Sequence, residues 1–395
     1  MKSKKYMPTI ILIYLHYLIH GIALIILSQC ALYLKDQMHT DYAGVMFVVS
    51  GLGIGKVVTQ YFGGILSDRV GRKPFMYLSV ACYTAFFLGI LWAPNIYVGF
   101  AFYFLCGVGN TCLDSGGSNA LMEIMDTMVG TASILTKLFI AAGQFILPIV
   151  LGFIGANEMY YGLSFMGCAG ICMVIGLFLY RAPFVPAESS KRAVRQSAEK
   201  YRVRLGLEGV ALILIGYTST ATFHTFTSWG TIYGRDVAGL SEVSAQTIMS
   251  FYSMGAFLSV LIMAILVRKT IKPVRILMFY PFGAAMVLTL LLMFPTEPVF
   301  RVMGFLVGCF AGGGVFQLAV AVMVEFFPEA KGTVTGMVYT ASGVALFADP
   351  AITGWLSGIN MRYVLIYDIG AAVLGVILAV LVNIRYGRRP GLSKV

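Results

Sequence analysis

Read for hydrophobic and polar positions, the chain alternates long apolar runs with short polar interruptions. Charges, glycine and proline divide it into runs at 9–34, 43–67, 74–93, 96–122, 130–154, 160–180, 207–233, 244–267, 276–294, 298–327, 332–356 and 361–384. Runs of this kind match the ~20 apolar residues that a helix needs to cross a bilayer. In lipid the backbone must satisfy its own polar groups, so they predict helices rather than open strands. The pattern predicts an all-α membrane protein with twelve transmembrane helices. A basic segment, RAPFVPAESSKRAVRQSAEKYRVRLG at 181–206, separates the runs six and six. It predicts two six-helix bundles, 1–180 and 207–395, joined by a cytoplasmic linker.

Composition agrees with a membrane protein. Charged residues are 11% of the 395 and hydrophobic ones 59%, against about 25% charged in a soluble domain. Lys2, Lys4 and Lys5 precede a first apolar stretch too long for a secretory leader, with no small-residue cleavage site after it. The net charge of +11 could suggest nucleic acid, but its distribution argues otherwise. The N-terminus, the 68–73 loop, the linker, the 268–275 loop, Lys331 and the C-terminus hold 22 Lys and Arg. The opposite side holds Lys35, Arg235, Arg301 and Arg362. Excess positive charge marks the cytoplasmic side, so both termini are expected there, in a cell membrane and with no nucleic-acid partner. The seven cysteines are scattered through apolar runs and predict neither a disulfide framework nor a metal site. No Gly-rich phosphate loop, paired histidines or Ser–His–Asp set stands out. An enzyme or receptor is therefore disfavoured, and no cofactor is expected.

The two halves repeat one another. At an offset of 202 residues, Glu123, Gly130, Thr131, Phe145, Pro148 and Gly152 fall on Glu325, Gly332, Thr333, Phe347, Pro350 and Gly354. Parallel repeats of this kind are a mark of transporters that work about a midplane site.

The run GGILSDRVGRKP, Gly63 to Pro74, packs four charges around Gly71 between the second and third spans. It resembles the signature loop of major facilitator superfamily transporters, G-x-L-[SA]-D-R-x-G-R-[RK]. Gly64, Leu66, Ser67, Asp68, Arg69, Gly71, Arg72 and Lys73 fall on that pattern. The resemblance implies a gating role. Asp68 would face the positive end of helix eleven near Gly332, and Arg72 would pair with Glu123 or Asp126. The second-half echo, RKTIKP at 268–273, lacks the Asp.

A charge inside a span is costly and is a functional candidate by default. The alternatives are a structural ion pair or a group near a boundary that snorkels. Lys56 lies eleven residues before Ser67, about 16 Å deep at ~1.5 Å per residue. Lys137 lies about 10 Å in from Gly130, and Asp114 roughly 13 Å from Glu123, by the same measure. His20 is also near the middle of its span. These groups, on helices one, two, four and five, share a layer, and in this superfamily those helices border the central cavity. Two lysines against one aspartate leave a cation over, which a substrate carboxylate could meet. Adjacent helices and similar depths predict a Lys137–Asp114 pair, with Lys56 left for the substrate. Asp114 is then the first candidate for carrying a proton, and His20 its rival because imidazole titrates near neutrality. Asn110 and Gln144 are expected to line the first half. Gln317, His224 and Asp349 are expected in the second, Asp349 as a further candidate for proton coupling, with a helix break before Pro350. Asp368 reads as structural, and Tyr17 as one of many packing aromatics.

Drug-exporting antiporters of the superfamily carry an Arg in helix four and G-P-x-x-G-G in helix five. Here helix four has no Arg and helix five reads FILPIVLG. The chain more closely resembles a group of bacterial permeases along nearly its whole length. The stretches AGVMFVVSGLGIGK, LDSGGSNALMEIMD, TKLFIAAGQFILP and AGGGVFQLAVAVMVEFFPEAKG carry the likeness. That resemblance implies proton-driven uptake of a small organic acid of the shikimate and quinate type. The carrier is expected to act as a monomer, with the proton gradient as its energy source. A sugar permease or proton-antiport exporter with structural lysines is the alternative.

Overall fold

The computed structural model describes residues 2–125, 129–185, 205–269, 273–327 and 331–387. Asp126, most of the linker and the side chain of Asp68 lie outside the described residues. The first half comprises α1 (Lys2–Gln29), α2 (Tyr42–Val70), α3 (Arg72–Gly89), α4 (Ile96–Ile124), α5 (Val129–Ala156) and α6 (Gly162–Leu179). The second comprises α7 (Leu207–Asp236), α8 (Glu242–Lys269), α9 (Pro273–Met293), α10 (Glu297–Phe326), α11 (Lys331–Ile359) and α12 (Met361–Gly387). A short helix, Ala31–Gln37, follows α1. Among the described residues ten of these helices carry an apolar stretch long enough to cross a bilayer. The other two, α7 and α11, are as long but interrupt their apolar sequence with polar groups, His224 and Asp349 among them.

The chain forms two compact units, Met1–Glu199 and Lys200–Val395. Inside the first, α1 packs on α5, α2 on α4, and α3 on α4 and α6. Inside the second, α7 packs on α11, α8 on α10, and α9 on α12. The same pairings recur, as the 202-residue offset predicts. Small residues allow these close contacts. A Cβ at Gly107 of α4 would strike the Leu52 carbonyl of α2, and one at Gly143 of α5 the Leu18 carbonyl of α1. The first approach carries Lys56 toward α4.

Two local expectations are corrected. The polar stretch 68–73 is not a loop: α2 runs through Val70 and α3 begins at Arg72, so Gly71 alone makes the corner. Its φ of 106° and ψ of 161° belong to a region that is essentially glycine's own. Gly71→Ala is expected to destabilise the protein by about 1–3 kcal/mol, read as a lower unfolding midpoint in detergent. The second correction concerns Pro350. Helix α11 continues unbroken through it, and the Thr353 hydroxyl donates to the Asp349 carbonyl at 2.6 Å.

Candidate functional site

Helix α4 departs from regular α geometry where the chemistry begins. Its first segment ends at Leu113, and Asp114–Ser118 form one turn of π-helix before Asn119–Ile124 resume. Such turns are rare and often mark functional positions. Side chains compete for the Ser115 carbonyl within this turn. Ser67 Oγ donates to it at 2.8 Å, Asn119 Nδ2 at 3.1 Å and Arg72 at 3.4 Å. Arg72 also donates to Glu123 Oε1 from Nε at 3.0 Å and from a terminal nitrogen at 2.8 Å. Its other terminal nitrogen donates to Ser67 Oγ at 2.8 Å. Of the two partners expected for Arg72, the pairing falls on Glu123; Asp126 lies outside the described residues. Lys73 donates to the Tyr180 and Ala182 carbonyls at 2.9 and 3.2 Å, where cationic charge suits the end of α6. Gly64 lies within α2, and Arg69 is exposed.

Asp114 opens the π turn, one residue ahead of the carbonyl that the signature run grips. Lys56 Nζ contacts its Oδ2 at 3.2 Å, and the Tyr17 hydroxyl donates to Oδ1 at 3.2 Å. This reverses the expected pairing. Lys56, not Lys137, meets Asp114, because Gly107 brings α2 and α4 together at the Lys56 backbone. Tyr17, read as packing, instead joins the carboxylate. Lys137 is half-buried on α5 and within electrostatic reach of both Lys56 and Asp114. Among the described residues no hydrogen bond or ion pair engages its ammonium.

Deeper in the unit are two histidines. The Tyr83 hydroxyl lies 2.6 Å from His20 Nδ1, and Asn110 Nδ2 lies 3.1 Å from Nε2. Both ring nitrogens are therefore partnered, and the trio ties α1, α3 and α4 together. His16, which the sequence did not single out, is fully buried one turn earlier. Its Nε2 lies 2.9 Å from Ser79 Oγ, whose hydrogen goes to the Gly109 carbonyl at 2.8 Å. Ser79 must then accept from Nε2–H, which leaves His16 Nδ1 an acceptor without a partner among the described residues. Gln144 is buried, and Gln317 is half-buried in the second unit beside the left-handed Gly314.

The second unit has its own polar centre. Asp349 is wholly buried. His224 Nδ1 lies 3.2 Å from its Oδ2, and Thr225 Oγ1 donates to its Oδ1 at 2.7 Å. Trp229 Nε1 donates at 2.9 Å to Thr353 and Thr220 Oγ1 at 2.8 Å to Ser342, so α7 and α11 are joined at four polar points among the described residues.

Twelve long helices among the described residues, in two equivalent units with ionisable groups inside the bundles, define a polytopic membrane carrier. The chain belongs to the Major Facilitator Superfamily, whose family model matches residues 10–348. It is similar to the inner membrane transport protein YdiM of Escherichia coli, 38% identical over 96% of this chain and 95% of that protein. It is more distantly similar to a gentisate transporter of Corynebacterium glutamicum, 24% identical over 92% of this chain and 85% of the relative. Among solved structures a D-xylose–proton symporter superposes with a TM-score of 0.76, covering 96% of this chain and 97% of that one. At 14% identity that likeness shows the fold alone.

Proposed function

We propose that the protein is a proton-coupled importer of a small organic acid, such as a hydroaromatic carboxylate, working by alternating access. It would act as a monomer in the bacterial inner membrane, with both termini cytoplasmic. The observation that carries this reading is Lys137, a half-buried ammonium without a hydrogen bond or ion pair among the described residues, beside a lysine–aspartate pair already matched. The layer of Lys56, Lys137 and Asp114 holds one positive charge in excess. A carboxylate is the ligand that completes it. The gentisate transporter, named for carrying an organic acid, supports the same substrate class.

In this reading the substrate carboxylate binds Lys137 and draws on Lys56. Asp114 then gives up part of its counter-charge and takes a proton, which links acid uptake to proton uptake. Tyr17 holds the carboxyl in place during the exchange. His20, bonded at both nitrogens, positions α1 against α3 and α4 rather than carrying the proton. Asn110 acts through His20, while Gln144 and Gln317 offer further hydrogen bonds to the acid. The Arg72–Glu123 contact and the Gly71 corner, with Asp68 and Arg69 of the same run, serve as the gate. Through Ser67 and Ser115 they act on the turn that begins at Asp114.

A thermal-shift screen of the purified protein tests the substrate class. A ligand at ~100 times its dissociation constant stabilises a protein by about 2.7 kcal/mol. Hydroaromatic carboxylates are expected to raise the melting temperature, and their neutral alcohol or amide analogues are not. A shift with neutral sugars and none with carboxylates would overturn the reading.

A further inference from the structure

Asp368 of α12 is fully buried, and neither carboxyl oxygen has a hydrogen-bond partner among the described residues. It borders a cavity with Thr225, Trp229, Tyr233 and Leu291 that has room for about one water. The Tyr233 hydroxyl in the same cavity also lacks a hydrogen-bond partner among the described residues. The 202-residue offset places Met166 opposite Asp368 and Leu147 opposite Asp349. The first half builds the corresponding positions without either acid.

Two carboxyls therefore share the interior of the second unit, within electrostatic reach of each other. Their surroundings differ. Asp349 receives His224 and Thr225, with Tyr367 within hydrogen-bonding reach, so it is equipped to hold negative charge. Asp368 has no donor, and a charged Asp349 would repel a second charge beside it. A bare buried carboxylate is untenable without a proton or a cation. The cavity walls are largely apolar and too few in oxygens for a sodium ion. Among the described residues the other ionisable groups facing Asp368 are Tyr252 from α8, Tyr233 from α7 and Tyr367 on its own helix, and none of these supplies a positive charge. Tyr367 lies 3.4 Å, hydroxyl to hydroxyl, from the half-exposed Tyr217, a route outward from Asp349.

We propose that the Asp349–Asp368 pair is a proton-binding site of the second unit, with Asp368 holding the proton and Asp349 the charge. The use of this site in transport rests on the proton-coupled reading above; the proton itself does not. Infrared spectroscopy of the protein reconstituted in lipid tests it, without any substrate. The wild type is expected to show a carbonyl stretch from a buried protonated carboxyl, lost in Asp368→Asn and displaced in frequency in Asp368→Glu. Titration from neutral to alkaline pH, followed with a pH indicator, should release one proton fewer per Asp368→Asn molecule. An unchanged band in Asp368→Asn would overturn the proposal, and so would an undisplaced band in Asp368→Glu should the Asn variant fail to fold. Absence of the band in the wild type would also overturn it, and stabilisation of that wild type by sodium chloride through Asp368 would assign the group to a metal cation. A wild type that moves no organic acid would sink the transport reading and leave the infrared result standing.

Discussion

Lys137→Gln should abolish detectable binding of the organic acid while the protein still folds. The substitution removes the one excess positive charge from the layer and leaves Lys56 and Asp114 matched at 3.2 Å. A substrate carboxylate would then enter a site without a counter-charge. Truncating one partner of a buried, hydrogen-bonded charge pair costs about 2–5 kcal/mol, roughly 30- to 5,000-fold in affinity. Lys137→Arg keeps the charge but replaces a compact ammonium with a planar fork, so partial binding should survive. Calorimetric titration of the detergent-solubilised protein measures both. Wild-type affinity in Lys137→Gln would remove Lys137 from the site.

Asp114→Asn should act in the opposite sense on binding and more strongly on the fold. It strands Lys56 beside Lys137, two cations with only neutral neighbours. Breaking a fully buried pair costs about 3–5 kcal/mol. The Asp114 side chain is 28% exposed, so a loss of about 2 kcal/mol is expected. The layer gains one net positive charge, so carboxylate binding should tighten while pH-driven accumulation stops, because the proton acceptor is gone. The double variant Lys56→Gln/Asp114→Asn removes the pair but keeps Lys137. It should recover most of the stability and still bind the acid, again without proton drive. Unfolding midpoints and binding titrations of the two single variants and the double form a cycle that isolates the pair. A double variant no more stable than Asp114→Asn would contradict the pairing.

Much of this arrangement is legible in the sequence because lipid imposes it. Twelve apolar runs, the alternation of Lys and Arg, and the 202-residue echo follow from length, charge and repetition, which need no three-dimensional knowledge. The depth of Lys56, Asp114 and Lys137 follows from helical rise alone. Which lysine meets Asp114 does not. Depth leaves the angle around the helix axis open, and each residue turns that angle by about 100°. Helix contacts choose between the lysines, and Gly107 against Leu52 on α2 makes the choice. The glycines at 51, 55 and 107 were the available signal. The π turn at Asp114 had no comparable signature, since Asp-Ser-Gly-Gly-Ser is compatible with several backbones. Tyr17 and His16 were hidden for another reason: an aromatic or imidazole on an apolar face looks alike whether it packs or bonds. Asp368 looked structural because its distance from the helix start says nothing of whether donors surround it.

The protein is proposed to couple proton entry to the uptake of an organic anion. Proteoliposomes loaded at neutral pH and diluted into acidic buffer, with a labelled hydroaromatic carboxylate outside, test it most directly. Accumulation above the external concentration is expected, abolished by a protonophore and by Lys137→Gln. Accumulation that ignores the protonophore, or a protein that concentrates a neutral sugar and leaves the carboxylate outside, would contradict it.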